Sequence, residues 1–213
     1  MTKSMTRRAC LAGLFFTPVA ACAPRTPVPE PREGPLYLGT AAEDVIIDME
    51  EHGPEEALGL PAPRDVDVNP ALKPGQIIVD QENFVIRHVH APGRAREYPV
   101  ALGKDGLAFS GEAVIRRKAK WPSWRPTNDM IARNPEKYSQ YADGVPGGPN
   151  NPLGARALYL YRDGRDTYYR IHGTDAPGSI GQSVSNGCIR MLNAHVVELY
   201  ERVKLGTVVR TRA

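Results

Sequence analysis

Cys188 stands in Ser185-Asn186-Gly187-Cys188-Ile189-Arg190-Met191, and the chain's two other cysteines, Cys10 and Cys22, lie near its start. A thiol becomes a nucleophile when a nearby base or cation raises its thiolate fraction. Ile171-His172-Gly173-Thr174 supplies such a base at the end of a strand-forming run. Gly187 lets backbone approach a substrate without a Cβ in the way. Successive amides around Gly187 and Cys188 are placed to meet a tetrahedral oxyanion. Arg190 adds a fixed cation suited to a carboxylate. The plainer reading stands beside this one: cysteine is often a small buried hydrophobe, and one Cys with one His is a sparse signal. A metal site has less support, because neither C-x-x-C nor H-E-x-x-H spacing occurs. His52, His88, His90 and His195 have no ligand partner near them in sequence, and His88 and His90, on one strand face, read as exposed.

Those residues need a scaffold. Gln76–Asp80, Phe84–Val89, Arg94–Leu102, Ala113–Trp121, Ala155–Arg162, Thr167–His172 and Thr207–Arg212 read as strands. Asp163-Gly164 is a hairpin signal between two of them. Asn128–Arg133 reads as a short helix opened by Asn128 or Asp129, and Ala194–Val203 as another with Asn193 as its cap. Gly147-Gly148-Pro149-Asn150-Asn151-Pro152 is turn chemistry. The expected fold is mainly β (α+β), sandwich- or barrel-like, with two or three short helices, over residues 74–213. Trp121-Pro122-Ser123-Trp124-Arg125-Pro126 is either a wall of a binding cleft, with Trp124 as its contact, or loop packing.

The 213 residues are 41% hydrophobic and 24% charged, with 20 Gly and 20 Pro, which excludes collagen-like and wholly disordered chains. The formal charge of +3 resides in residues 1–21, where Lys3, Arg7 and Arg8 face no acid, so charge lends no support to nucleic-acid binding. That leader has a basic head and a short apolar run, the layout of an export signal, with Arg7-Arg8 giving it a twin-arginine look. Val19-Ala20-Ala21-Cys22 resembles a lipobox, which implies lipidation of Cys22; ordinary cleavage is the alternative. Residues 22–35 form a linker rich in proline, favouring extended polyproline II. Residues 36–73 read as an acidic extension with little structure of its own; residues 36–72 hold nine acids and one Arg. Three cysteines, two of them near the leader, build no disulfide framework.

The pair Ile171-His172-Gly173-Thr174 and Ser185-Asn186-Gly187-Cys188-Ile189-Arg190-Met191 resembles the signature of the YkuD family of L,D-transpeptidases, and residues 144–158 look like the segment that precedes it. The resemblance covers roughly residues 74–212. It implies acyl transfer on peptidoglycan stem peptides with no metal or organic cofactor. Cys188 is then the nucleophile, His172 its base, and the Gly173 carbonyl the group that orients the imidazole. Ser185, Asn186, Gly187 and Arg190 line the site. Asn186 is a departure, because many members carry His there. The resemblance further implies a periplasmic enzyme, held to a membrane if Cys22 is lipidated, with stem peptides or outer-membrane or periplasmic proteins as acceptors. A hydrolase on the same thioester path and a silent wall-binding lipoprotein are the rival readings.

Overall fold

The computed structural model describes residues 59–104 and 107–212. The export signal, Cys22, the proline-rich linker and most of the acidic extension lie outside the described residues. The strands are β1 (Arg64–Asp67), β2 (Ile77–Asp80), β3 (Val85–Ala91), β4 (Arg94–Pro99), β5 (Leu102–Gly103), β6 (Glu112–Lys120), β7 (Arg156–Arg162), β8 (Arg165–His172), β9 (Ser183–Ser185), β10 (Ile189–Arg190) and β11 (Val208–Thr211). The α-helices are α1 (Asn128–Arg133), α2 (Pro135–Tyr138) and α3 (Asn193–Arg202). The fold is mainly β with a few short helices, as the strand spacing predicts.

One large sheet runs in the order β1-β4-β3-β2-β11-β6-β7-β8-β10, and β5 pairs with β9 beside it. Most neighbours are antiparallel, but β11 on β2 and β10 on β8 are parallel. The sheet rolls until β10 meets the chain just past β4, through paired hydrogen bonds between Ala101 and Arg190. Alternation along the strands sends Ile77, Val79, Ile86, Ile115, Leu158, Leu160, Ile171, Ile189 and Val209 into one core, joined by Val196 and Leu199 of α3. Each such side chain stabilises the fold by about 1.5–3 kcal/mol when fully buried. The other face of β2–β4 is covered by Val66, Val68 and Leu72, which pack on Ile78, Val89 and Ala95. The last part of the acidic segment thus contributes an edge strand, β1, and a small apolar cover.

Two helix starts differ from expectation. Thr127, not Asn128 or Asp129, caps α1, its hydroxyl accepting from the Met130 N–H at 3.2 Å. Asn193 is the first residue of α3, with Leu192 in the cap position. The Asn193 side chain is spent elsewhere. Its Oδ1 accepts from the N–H groups of Ala155 (2.9 Å) and Thr174 (3.1 Å), and its Nδ2 donates to the Thr174 carbonyl (3.1 Å). One amide therefore ties α3 to the start of β7 and the end of β8, wholly in the interior. His88 also departs from expectation: it is buried, and only His90 is exposed.

Asn193→Ala strands three buried backbone groups at once. A loss of about 3 kcal/mol is expected, read as a lower urea midpoint with unchanged slope. An unchanged midpoint would mean that those groups find other partners.

Candidate active site

β10 lies parallel to the end of β8 with Ile189 opposite Ile171 and Arg190 opposite His172. Register partners share a face of the sheet, and successive residues alternate. Ile171 and Ile189 point into the core. His172 and Arg190 therefore take the other face, and Cys188, two residues before Arg190, comes to the same side. Two residues of parallel pairing bring the segment that begins with Cys188 alongside the end of β8 that carries His172. The Met191 N–H extends the ladder by donating to the His172 carbonyl at 2.8 Å.

His172 is buried, with Nδ1 2.6 Å from the Gly173 carbonyl oxygen. A carbonyl only accepts, so Nδ1 carries the proton and Nε2 keeps its lone pair. Burial pushes the His172 pKa down to about 3, helped by the positive charge of Arg190. Gly173 is required by close packing: a Cβ there would sit 2.1 Å from Asn193 Oδ1. The amide that anchors α3 thus also fixes the residue that orients the base.

Cys188 is half-buried and is a free thiol. Burial pushes its pKa up, opposed in part by the charges of Arg170 and Arg190. Its S–H points at the Tyr168 carbonyl, with sulfur and oxygen 3.7 Å apart. Burial disfavours the charged form of each group, the thiolate of Cys188 and the imidazolium of His172.

The turn before Cys188 is held from within. Ser185 Oγ accepts from the Gly187 N–H (3.1 Å) and donates to the Cys188 carbonyl (2.6 Å). Ser185 thereby positions the nucleophile's backbone, and the Gly187 amide is engaged in the turn, which leaves the Cys188 N–H as the amide next to the sulfur. Gly187 has φ +122°, and a Cβ there would come within 2.7 Å of the Leu107 carbonyl and 2.8 Å of the Tyr169 ring. Its close neighbour is the protein itself.

Trp124 and Asn186 are linked through Tyr138. Trp124 lies in the long excursion between β6 and β7, its backbone paired to Val145. Its ring packs against Tyr138 and Tyr141, with centroids 6.4 and 5.7 Å away. Asn186 Nδ2 donates to the Tyr138 hydroxyl at 2.9 Å. An aromatic cluster thereby reaches the nucleophile's own turn. Trp121, from the same sequence cluster, is instead buried against Ala155 and Val197. Arg190 is half-buried, and its Nε has no hydrogen-bond partner.

Several site residues carried no signal in sequence. Between Tyr159↔Arg170 and Tyr161↔Asp166 the β8 register slips, a bulge that places Tyr168 at φ +61° and turns its carbonyl toward the thiol. Asp166 holds Arg170 through two bonds of 2.6 and 2.8 Å. Alternation gave no role to either residue or to Tyr138. Cys22 lies outside the described residues.

Comparison with known proteins agrees with this geometry. The family model of the YkuD L,D-transpeptidase catalytic domain matches residues 74–210. The probable L,D-transpeptidase YbiS of Escherichia coli is 29% identical over 190 residues, covering 84% of this chain and 60% of that protein. The putative L,D-transpeptidase YqjB of Bacillus subtilis is 41% identical over 113 residues, covering 52% of this chain and 55% of that one. The chain thus spans less than two thirds of the length of either relative. A crystal structure from Brucella melitensis, described as a probable carnitine operon oxidoreductase, is 45% identical with a TM-score of 0.50, covering 72% of this chain and 97% of that one. The description is that protein's own; the match over residues 74–210, containing His172 and Cys188, is what places this sequence. The chain belongs to the YkuD family of L,D-transpeptidase catalytic domains.

Proposed function

We propose that the protein is an exported L,D-transpeptidase that works through a thioester on Cys188, with peptidoglycan stem peptides as donors. The observation that supports this reading is the β8–β10 register, which puts Arg190 opposite His172 with Cys188 immediately before the pairing, and a His172 whose Nδ1–H is taken by Gly173. Cys188 Sγ attacks the carbonyl carbon between the third stem residue and the terminal D-Ala. The thiol proton passes to His172 Nε2, and the charge that develops on the carbonyl oxygen faces the Cys188 amide. The C–N bond breaks, and D-Ala leaves with the proton held by His172. An amine of a second stem then attacks the thioester, gives its proton to His172, and releases the thiol, which regains that proton. An amine on a periplasmic or outer-membrane protein serves equally as acceptor. Arg190, with its unpartnered Nε, suits a donor carboxylate. The leader and Cys22 support export to the periplasm and a lipid anchor.

Burial that disfavours both charged forms fits a general-base route, in which the proton moves as the sulfur attacks. A preformed ion pair would leave two charges in a desolvated site. The wall formed by Trp124, Tyr138 and Tyr141 gives an apolar surface for the stem beside the nucleophile.

Full-chain protein incubated with disaccharide-tetrapeptide is expected to give a cross-linked dimer with loss of D-Ala, and Cys188→Ala none, by mass spectrometry. Tripeptide alone would move the assignment to hydrolysis, and no turnover by folded native protein would overturn catalysis. Alkylation of Cys188 by iodoacetamide should accelerate with pH through and beyond the ordinary thiol value of about 8.5; a plateau already reached near neutral pH would reveal a standing thiolate. Trp124→Ala should lower kcat/KM about tenfold with the unfolding midpoint unchanged; full turnover would reduce the aromatic cluster to loop packing.

A further inference from the structure

The β8–β10 ladder covers only Ile171 and His172 of β8. Just before it, two backbone groups of β8 face the Cys188 sulfur. The Tyr168 carbonyl accepts from the S–H, with sulfur and oxygen 3.7 Å apart, and the Arg170 N–H donates toward the same sulfur. One is an acceptor for the thiol, the other a donor for the thiolate. The carbonyl owes its direction to the bulge. Between Tyr159↔Arg170 and Tyr161↔Asp166, β8 carries more residues than β7, and Tyr168 takes φ +61°.

A bulky residue in the left-handed region relaxes unless its surroundings hold it. The Tyr168 ring is 58% exposed, so packing of the side chain does not hold it. Its two flanking peptides are pinned instead. On one side the Tyr168 N–H donates to Asp166 Oδ1 at 2.7 Å. On the other, the peptide that contains the Tyr168 carbonyl also contains the Tyr169 N–H, which donates to Thr167 Oγ1 at 3.2 Å. Thr167 is anchored in turn, its hydroxyl donating to the Leu160 carbonyl of β7 at 2.6 Å. Asp166 is anchored by Arg170, whose Nη1 and Nη2 donate to its two oxygens at 2.6 and 2.8 Å. The Arg170 guanidinium lies 4.3 Å from the centroid of the Tyr159 ring. Side-chain exposures of 12% for Arg170 and 23% for Asp166 separate this bidentate pair from a loose surface bridge.

We propose that Asp166 and Thr167 are positioning residues for the nucleophile: by pinning the peptides on either side of Tyr168 they aim its carbonyl at Cys188 and set the direction of the thiol before attack. This deepens the acyl-transfer reading and rests on it, since Cys188 must be the nucleophile. Both residues act through the Tyr168 backbone. With its S–H held along one line, the sulfur meets a substrate carbonyl from a fixed side. If the acceptor turns away, the thiol gains rotational freedom, and a reaction that demands alignment slows. Ionisation moves the other way, because the lost acceptor had favoured the S–H form. The Arg170 amide, past the bulge and in register with Tyr159, stays in place. The charged groups that act on the sulfur are Asp166, Arg170 and Arg190, and a change at Thr167 alters none of them.

The test compares two rates on full-chain protein. One is alkylation of Cys188 by iodoacetamide across pH, read on its own peptide by mass spectrometry; the other is turnover of disaccharide-tetrapeptide. Thr167→Val and Asp166→Ala are each expected to lower kcat about tenfold or more with KM little changed. In both, the alkylation midpoint should fall by about half a unit or more. Asp166→Asn keeps an acceptor for the Tyr168 N–H and should recover most of the turnover lost in Asp166→Ala. Thr167→Val, which keeps volume and charge, decides alone if Asp166→Ala does not fold. A midpoint that stays in place overturns the assignment, even with a lowered urea midpoint, because support of the hairpin alone leaves the thiol's ionisation unmoved. Asparagine no better than alanine overturns the part given to Asp166. If the native protein turns over no stem peptide, the proposed reaction fails, and the alkylation profiles still decide whether these residues direct the thiol.

Discussion

Two residues of parallel pairing, Ile189 on Ile171 and Arg190 on His172, carry the site. So short a strand is not stable on its own. It persists because it is also the seam that closes the rolled sheet. Arg190 exchanges both backbone bonds with Ala101, and Met191 donates to His172. Ile189 is sealed in the core. Cys188 is therefore positioned by the same contacts that close the sheet, and anything that opens the seam shifts it relative to β8. Asn193 backs this from the other side. Its amide holds Ala155 and Thr174 and leaves no room for a side chain at residue 173.

Electrostatics in the site follows from burial more than from charge pairing. Arg170 and Arg190 both lie near Cys188 and pull its pKa down, yet desolvation pushes harder in the other direction. For His172 burial and Arg190 act together. A group whose folded pKa lies below its unfolded one binds fewer protons when folded. His172 and His88, at about 3 and about 4, therefore favour the folded state fully above the ordinary histidine value. That contribution is lost as pH falls from about 6.5 toward those values. The same shift favours an unprotonated His172 near neutral pH. The Gly173 carbonyl selects the Nδ1–H tautomer and leaves the lone pair on Nε2.

Much of this was legible in sequence. The strand runs are where alternation puts them, and Asp163-Gly164 makes its hairpin with both residues at positive φ. The Ile171–Thr174 and Ser185–Met191 segments stood out through their resemblance to the YkuD signature, since one Cys and one His alone are a sparse signal. What escaped was long-range or irregular. β9 and β10 are too short for any periodic signal, and β1 hides in an acidic stretch whose charge outweighs Val66 and Val68. Asn193 looks like a cap by position, and only the fold reveals that its amide has three better partners. Tyr138 is tied to Asn186 by a contact across 48 positions of sequence. Reading Gly187 as making room for substrate missed its own neighbours, Leu107 and Tyr169.

Backbone strain marks the same region from a different angle. Among the described residues four non-glycines have positive φ, and Phe84 and Asp163 sit in turns between strands. The other two, Trp121 and Tyr168, are bulky, and such conformations cost about 1–2 kcal/mol each. Tyr168 is kept there by the Asp166 carboxylate, which accepts from its N–H at 2.7 Å, while Thr167 bonds both Leu160 and Tyr169 across the bulge. Trp121 is held by its N–H donating to the Ala155 carbonyl at 2.8 Å and by burial of its ring. The first strained residue aims a carbonyl at the thiol. The second launches the excursion that returns Trp124 and Tyr138 to Asn186. The first departure ends at the Cys188 thiol and the second at Asn186, two residues before it, so both strained residues shape one turn.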